Sequence, residues 1–228
     1  MKKNTTILLI LLIFSLFFTS CEPKVSKISS DKCEAPCWRN IVPGVTSQKE
    51  AEALVHEFTD VKERDLVFGG ENGIFNGVTS LTLKNGISIE IYYINGIVTK
   101  INFYKSSGIS RFEQCVTEYG TPEFIGRSFR YGPGLPIGAT SAMHPWIFAI
   151  LAKKGVVFGY DAYQFFSDEL VLSPSNQIIL ITYYDVNLFR ILLEYGEIVK
   201  TDGAERLSEE DLFKWIGYGD IEILYPQR

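Results

Sequence analysis

Three consecutive runs, Val78 to Leu83, Ile87 to Tyr93 and Ile97 to Tyr104, alternate apolar with polar residues. A period of two sends successive side chains to opposite faces of a strand, so each run can bury one face. Asn85-Gly86 and Asn95-Gly96 separate the runs, and Asn-Gly tolerates the positive φ angles that a tight hairpin demands. The segment therefore predicts a three-stranded antiparallel meander. Ile87, Ile89, Ile91 and Tyr93 line one face of its middle strand, the face expected to be covered.

Helical patterns flank the meander. Pro43-Gly44-Val45-Thr46 reads as a turn, and Ser47 with Glu50 has the spacing of a capping box. Ala51, Leu54, Val55 and Phe58 then share a face, which predicts a helix over 47–58. Beyond the meander, Ser110 and Glu113 repeat the capping pattern ahead of a helix carrying Phe112, Cys115, Val116 and Tyr119 on one face. Gly120 ends that helix and Pro122 prevents its resumption. Further strands are expected at 124–131, 146–152, 155–162 and 178–184, and a third helix over Asn187 to Tyr195. A fourth helix should start at a Ser208 cap and group Leu212, Trp215 and Ile216. Gly44-Val45-Thr46 and Gly108-Ile109-Ser110 stand 64 residues apart, each before a capped helix. The expected class is α+β, with tandem helix-plus-antiparallel-meander units at 35–107 and 108–228 and helices packed on one face of the sheet. The apolar register inside the two helices is not identical, so a single α+β domain stays open beside two fused copies.

The first twenty residues have their own composition. Lys2 and Lys3 precede an apolar run from Ile7 to Phe18 that only Ser15 interrupts, and Thr19 and Ser20 lead to Cys21. That order is the layout of a secretory signal. A run of twelve residues falls short of the roughly 20 that span a bilayer. Phe18-Thr19-Ser20-Cys21 resembles the lipobox of bacterial lipoproteins, in which the cysteine is acylated and becomes the new N-terminus; Phe18 stands where Leu is typical. The resemblance implies a signal peptide over 1–20, lipidation at Cys21, a polar tether over 21–34, and a lipid-anchored, extracytoplasmic place in the cell envelope. The acyl chains would be the membrane contact, each buried methylene contributing about 0.8 kcal/mol.

Without residues 1–20, 20 basic residues face 27 acidic ones and the net charge is −7. A chain so acidic, with no basic run, has no electrostatic footprint for nucleic acid and no polybasic attraction to anionic lipid. Cysteine usage agrees with export. Cys33-Glu-Ala-Pro-Cys37 brings two thiols close together, and in an oxidising compartment these predict a small-loop disulfide. A zinc site is the alternative, but no second Cys or His pair completes four ligands. Cys115, on a helix's apolar face, reads as a buried thiol.

Gly44-x-Thr46, a capped helix and a meander closing on Asn95 to Tyr104 resemble the small lipoprotein of the outer-membrane barrel-assembly machinery. They also resemble the tandem units of beta-lactamase inhibitor proteins. Both families layer helices on an antiparallel sheet and bind protein surfaces without catalysis, so the resemblance implies a non-enzymatic protein-binding, inhibitor or envelope-assembly module. Ala35-Pro36-Cys37-Trp38 with Ile41-x-Pro43-Gly44 is similar to a set of uncharacterised bacterial lipoproteins, which implies no activity. No functional residues carry over from any of them.

Catalytic chemistry has little footing. His56 lies within the first helix, and His144 ends a long loop; neither has partners placed by sequence. No serine sits in a Gly-x-Ser-x-Gly elbow. Asp168-Glu169 and Glu209-Glu210-Asp211 could serve a hydrolase as paired carboxylates, the rival reading, but the second group suits the first turn of a helix, where acids oppose the positive dipole end. Gly132 to Gly138 lacks the Lys-Ser/Thr of a phosphate cradle, and its prolines remove donors. Gly126 to Pro145 is the candidate binding loop, offering Arg127, Arg130, Tyr131, Met143, His144 and, at its edge, Trp146; arginine and aromatic residues suit a protein interface. Tyr163 to Gln177 is a second long loop. No cofactor and no metal site are expected.

Overall fold

The computed structural model describes residues 33–62, 66–70, 73–130, 144–161, 171–198 and 207–225, and of residues 129, 130, 144, 145, 161 and 222 the backbone alone. The signal and Cys21 expectations lie outside these residues.

The first helix, α1 (Gln48–His56), starts at the capping box read from sequence: Glu50 N–H donates to Ser47 Oγ at 3.3 Å, and Ser47 N–H to Glu50 Oε2 at 2.9 Å. Strands β1 (Val67–Gly69), β2 (Gly77–Thr82), β3 (Ser88–Ile94) and β4 (Ile97–Tyr104) follow. The two Asn-Gly turns adopt the required geometry, with Gly86 at φ 83°, Asn95 at 51° and Gly96 at 75°. After β5 (Ser110–Arg111) comes α2 (Phe112–Tyr119), then β6 (Phe124–Arg130), β7 (His144–Leu151) and β8 (Val156–Asp161). Short strands β9 (Val171–Leu172) and β10 (Gln177–Ile178) precede β11 (Leu180–Tyr184), followed by helix α3 (Phe189–Glu194). The chain closes with β12 (Leu212–Lys214), β13 (Gly219–Asp220) and helix α4 (Ile221–Leu224). Nine strands form one antiparallel sheet in the order β1-β2-β3-β4-β11-β8-β7-β6-β12. The fold is α+β, mostly sheet.

Both faces of the sheet's central strands are buried. On one, Ile89, Ile91 and Tyr93 of β3 join Ile101 and Phe103 of β4 and Ile181 and Tyr183 of β11, together with Ala51 and Val55 of α1 and Phe112, Cys115 and Tyr119 of α2. On the other, Tyr92, Tyr184, Val157, Phe148 and Ile150 cluster with Leu192 and Leu193 of α3. Helices thus contribute to both clusters, unlike the expected single covered face. This explains β4, where six consecutive residues from Val98 to Phe103 are buried: a central strand covered on both sides loses its polar face to a second layer.

Three other expectations are corrected. No helix starts at Ser208. Asp211 accepts from Ser208 N–H at 2.8 Å and shapes one 3-10 turn, Glu209–Asp211. Leu212 to Lys214 then pair with Phe124 to Gly126 as an edge strand; the open edge of β6 offers backbone partners that outweigh a weak helical pattern. The cap of α2 is Arg111, not Ser110, with Gln114 Oε1 accepting from Arg111 N–H at 2.9 Å. Both described ends of the loop assigned to Gly126–Pro145 are strand: β6 and β7 are paired as far as Arg130 and His144, and Trp146 is a core residue, 1% exposed.

Candidate functional site

At one end of the sheet, five segments enclose a cleft of about 1090 Å³. They are Cys33–Pro36, the turn Pro43–Val45, the last residues of α2 (Glu118, Tyr119), the β7–β8 connection (Lys153, Lys154) and Asp185–Asn187 after β11. Each wall has a local cause. Lys154 Nζ donates to the Tyr119 carbonyl at 2.6 Å, satisfying a free acceptor at the end of α2 where a cation also meets the negative dipole end. Asp185 Oδ1 accepts from the N–H and Nδ2 of Asn187 at 2.9 and 3.0 Å, an Asx turn that redirects the chain out of β11. Gly44 has φ 80° and lies against that carboxylate; a Cβ there would stand 2.7 Å from Asp185 Cγ. Val45, 73% exposed, and Val186, 42%, present apolar surface in the cleft.

The Cys33–Pro36 wall is closed covalently, because Cys33 and Cys37 form the disulfide expected from their spacing. The next residue fixes it in place. Trp38 is buried with its ring 5.2 Å from that of Phe58 and 5.5 Å from that of Phe103. Trp38 and Ile41 exchange backbone hydrogen bonds of 2.9 and 2.8 Å across Arg39 and Asn40, both at positive φ. Arg39 in turn grips Asp60 through two bonds of 2.7 and 2.6 Å, its guanidinium over the Trp38 and Phe58 rings. Hydrogen bonding to Arg39 holds the Asp60 carboxyl below its ordinary value of 3.8. A depressed carboxyl contributes stability above its unfolded value, and that stability is lost as pH falls through the folded one. The urea midpoint should therefore drop below about pH 4, and Asp60→Asn should reduce that drop. Identical midpoint-against-pH curves for the two proteins would dismiss the pair as a source of stability. The pair is partly exposed, so the effect is of the surface kind, up to about 1 kcal/mol.

A second polar constellation lies in the sheet. Lys100 is fully buried. Its Nζ donates to the Glu197 carbonyl at 2.7 Å, stands 3.9 Å from Glu197 Oε2, and lies 4.2 and 4.8 Å from the Tyr92 and Phe75 ring centres. Beside it, Thr182 Oγ1 donates to Asn102 Oδ1 at 2.9 Å. No local pattern marks Lys100 as buried, since a lysine in an alternating strand ordinarily belongs to the solvent face. On the opposite face the Tyr119 and Tyr183 hydroxyls meet at 3.1 Å. Burial pushes both phenols above 10 and the Cys115 thiol up to about 12, so these groups are neutral core members at pH 7.

The residues singled out from sequence do not form one surface. Arg127 pairs with Ile147 and Trp146 with Ser128, so Arg127 and Trp146 point to opposite faces of the hairpin. Arg130 and His144 share its last rung, at the end of β6 and β7 away from the cleft. Tyr131 and Met143 lie outside the described residues, as do Asp168 and Glu169. His56 closes α1, exposed, with its ring 5.5 Å from that of Phe68. Glu209 and Glu210 are exposed in the 3-10 turn. Among the described residues no three His, Cys, Asp or Glu side chains gather to hold a metal, and no helix is long and apolar enough to cross a membrane. The cleft went unread because its walls come from five separated turns. No protein-family model matches the chain, and comparison with curated proteins and with solved structures finds no match.

Proposed function

We propose that this chain is a lipid-anchored, extracytoplasmic binding module whose recognition site is the cleft at the Cys33 end of the sheet. The observation carrying this reading is the cleft itself, a cavity of about 1090 Å³ walled by a disulfide ring and holding apolar and charged groups together. Disulfides persist in oxidising compartments, which agrees with export by the segment Lys2 to Cys21. The partner is an envelope protein.

The module reads as two helix-plus-meander units. Gln48 N–H donates to the Gly96 carbonyl, and Phe112 N–H to that of Asn176. Ser47 bridges Ile97 as Arg111 pairs with Gln177. Cap partners Glu50 and Gln114, buried Ala51 and Cys115, and buried Val55 and Tyr119 keep the same spacing of 64. With Arg111 as the cap, the two helices are in register. Strands β4 and β11 follow a spacing of 80, and under it Asn102 and Thr182 are counterparts. They also face each other in the β4–β11 pair, where a two-fold axis relating the units would pass.

Cys21→Ser should move the protein from the membrane to the soluble exported fraction; unchanged membrane association would contradict acylation at Cys21. Recovery of a partner from solubilised membranes should fail for Val45→Asp, which places a charge in the cleft at a residue 73% exposed. Equal recovery by Val45→Asp would remove the cleft as the recognition site.

A further inference from the structure

The two sulfurs of the cleft wall have unequal surroundings. Cys37 is 7% exposed, its N–H donates to the Glu34 carbonyl at 3.0 Å, and the buried Trp38 fixes it from the other side. Cys33 is half-buried and lines the cleft with Glu34, Ala35 and Pro36. One end of the wall is thus anchored in the core, and the Cys33–Cys37 bond ties the other to that anchor, beside the packing of Ala35 against the core. Loop-closure entropy from so small a ring stabilises the whole fold by only about 2 kcal/mol, which leaves room for a local role.

We propose that the Cys33–Cys37 disulfide is a redox-sensitive latch on the cleft wall, closed in the oxidised protein and released by a dithiol reductant of the thioredoxin-like oxidoreductase class. This regulation rests on the cleft being the recognition site. A reductant thiolate attacks Cys33 Sγ, on the more exposed of the two residues; the bond between the two cysteines breaks, and its electron pair passes to Cys37 Sγ, which takes a proton from water. The reductant's second thiol loses its proton to water and attacks its own sulfur in the mixed disulfide. Cys33 leaves as a thiolate and is protonated, and the reductant ends as a disulfide. The chain gains two electrons and two protons. Residues 33–36 then lose their covalent tie to Cys37 while Trp38 stays in place.

Amide hydrogen exchange on the full chain, with and without dithiothreitol, tests this directly. Reduction should raise exchange about tenfold at 33–37, 43–45 and 185–187, leaving 48–56 and 88–104 unchanged. The Cys33→Ser/Cys37→Ser double variant should show the same pattern without reductant. In single variants, Cys33 of Cys37→Ser should react with a colorimetric aryl disulfide about tenfold faster than Cys37 of Cys33→Ser. Unchanged exchange at the cleft despite two alkylatable thiols overturns the latch. A rise throughout the chain overturns it too, because the ring would then be a staple for the whole fold. None of these readouts needs a partner or a membrane. A partner held equally by oxidised and reduced protein would therefore reject the latch alone, whereas loss of the partner reading would leave the exchange pattern untouched.

Discussion

Lys100→Ala lowers the unfolding free energy by about 3–5 kcal/mol, the range for removing one member of a buried ion pair. The side chain is fully buried, and the Glu197 carboxylate facing it is 6% exposed. Alanine removes the donor to the Glu197 carbonyl and the cation over Tyr92 and Phe75, and leaves a carboxylate in an apolar layer. For a chain of this size the thermal midpoint should fall by roughly 10–15 °C. Lys100→Met with Glu197→Gln should lose much less, because the stem volume stays and no charge is stranded. Chemical denaturation of Lys100→Met, Glu197→Gln and their double variant gives the coupling. If the double variant is as unstable as Lys100→Ala, the stranded charge is not the cause, and the loss lies in the Lys100 Nζ bond to the Glu197 carbonyl and its contacts with the rings. If Lys100→Ala costs under about 1 kcal/mol, the site is not desolvated in solution.

Trp38→Ala should cost about 3–5 kcal/mol, the usual range for emptying a large aromatic site. Trp38 is 2% exposed and meets Phe58 and Phe103 edge-to-face, while Arg39 stacks on its ring and reaches Asp60. Its loss therefore also frees the anchored end of the cleft wall. Exchange at 33–41 and around the cleft should rise more than at β6 to β8, and a circular-dichroism melt should show the lower midpoint. A uniform rise across the sheet would mean that Trp38 supports the core as a whole and gives the wall no separate hold. Trp38→Phe, which keeps part of the volume, should recover more than half of the lost stability.

Much of the backbone could be read directly from local chemistry. The β2–β4 meander follows from alternation and two Asn-Gly turns, and α1 from a capping box three residues wide; both agree with the structure within one or two residues. The strands at β6, β7, β8 and β11 and the helix near Asn187–Tyr195 were legible for the same reason. Where two local solutions competed, sequence reasoning chose wrongly. At Ser208 the cap was real, but the next residues took the vacant sheet edge. At Ser110 the adjacent Arg111 supplied the cap because Gln114 could reach its N–H. Trp146, read both as the first residue of a strand over 146–152 and as the edge of a binding loop, proves to be strand: it pairs with Ser128 and Asp161 and is buried.

The sequence by itself determined the longer strands and the first three helices, where the two Asn-Gly hairpins turn, and that Cys33 and Cys37 are close enough to join. Those properties depend on backbone torsions and on neighbours a few residues away, so they are written locally. Only the tertiary structure decided that β4 pairs with β11, that the sheet's central strands are covered on both faces, and that Lys100 is buried beneath Glu197. It alone brought five distant turns together around one cleft. Each of these results depends on which surfaces meet after collapse, through burial and long-range pairing between residues as far apart as Lys100 and Glu197, and no short window of sequence records that meeting.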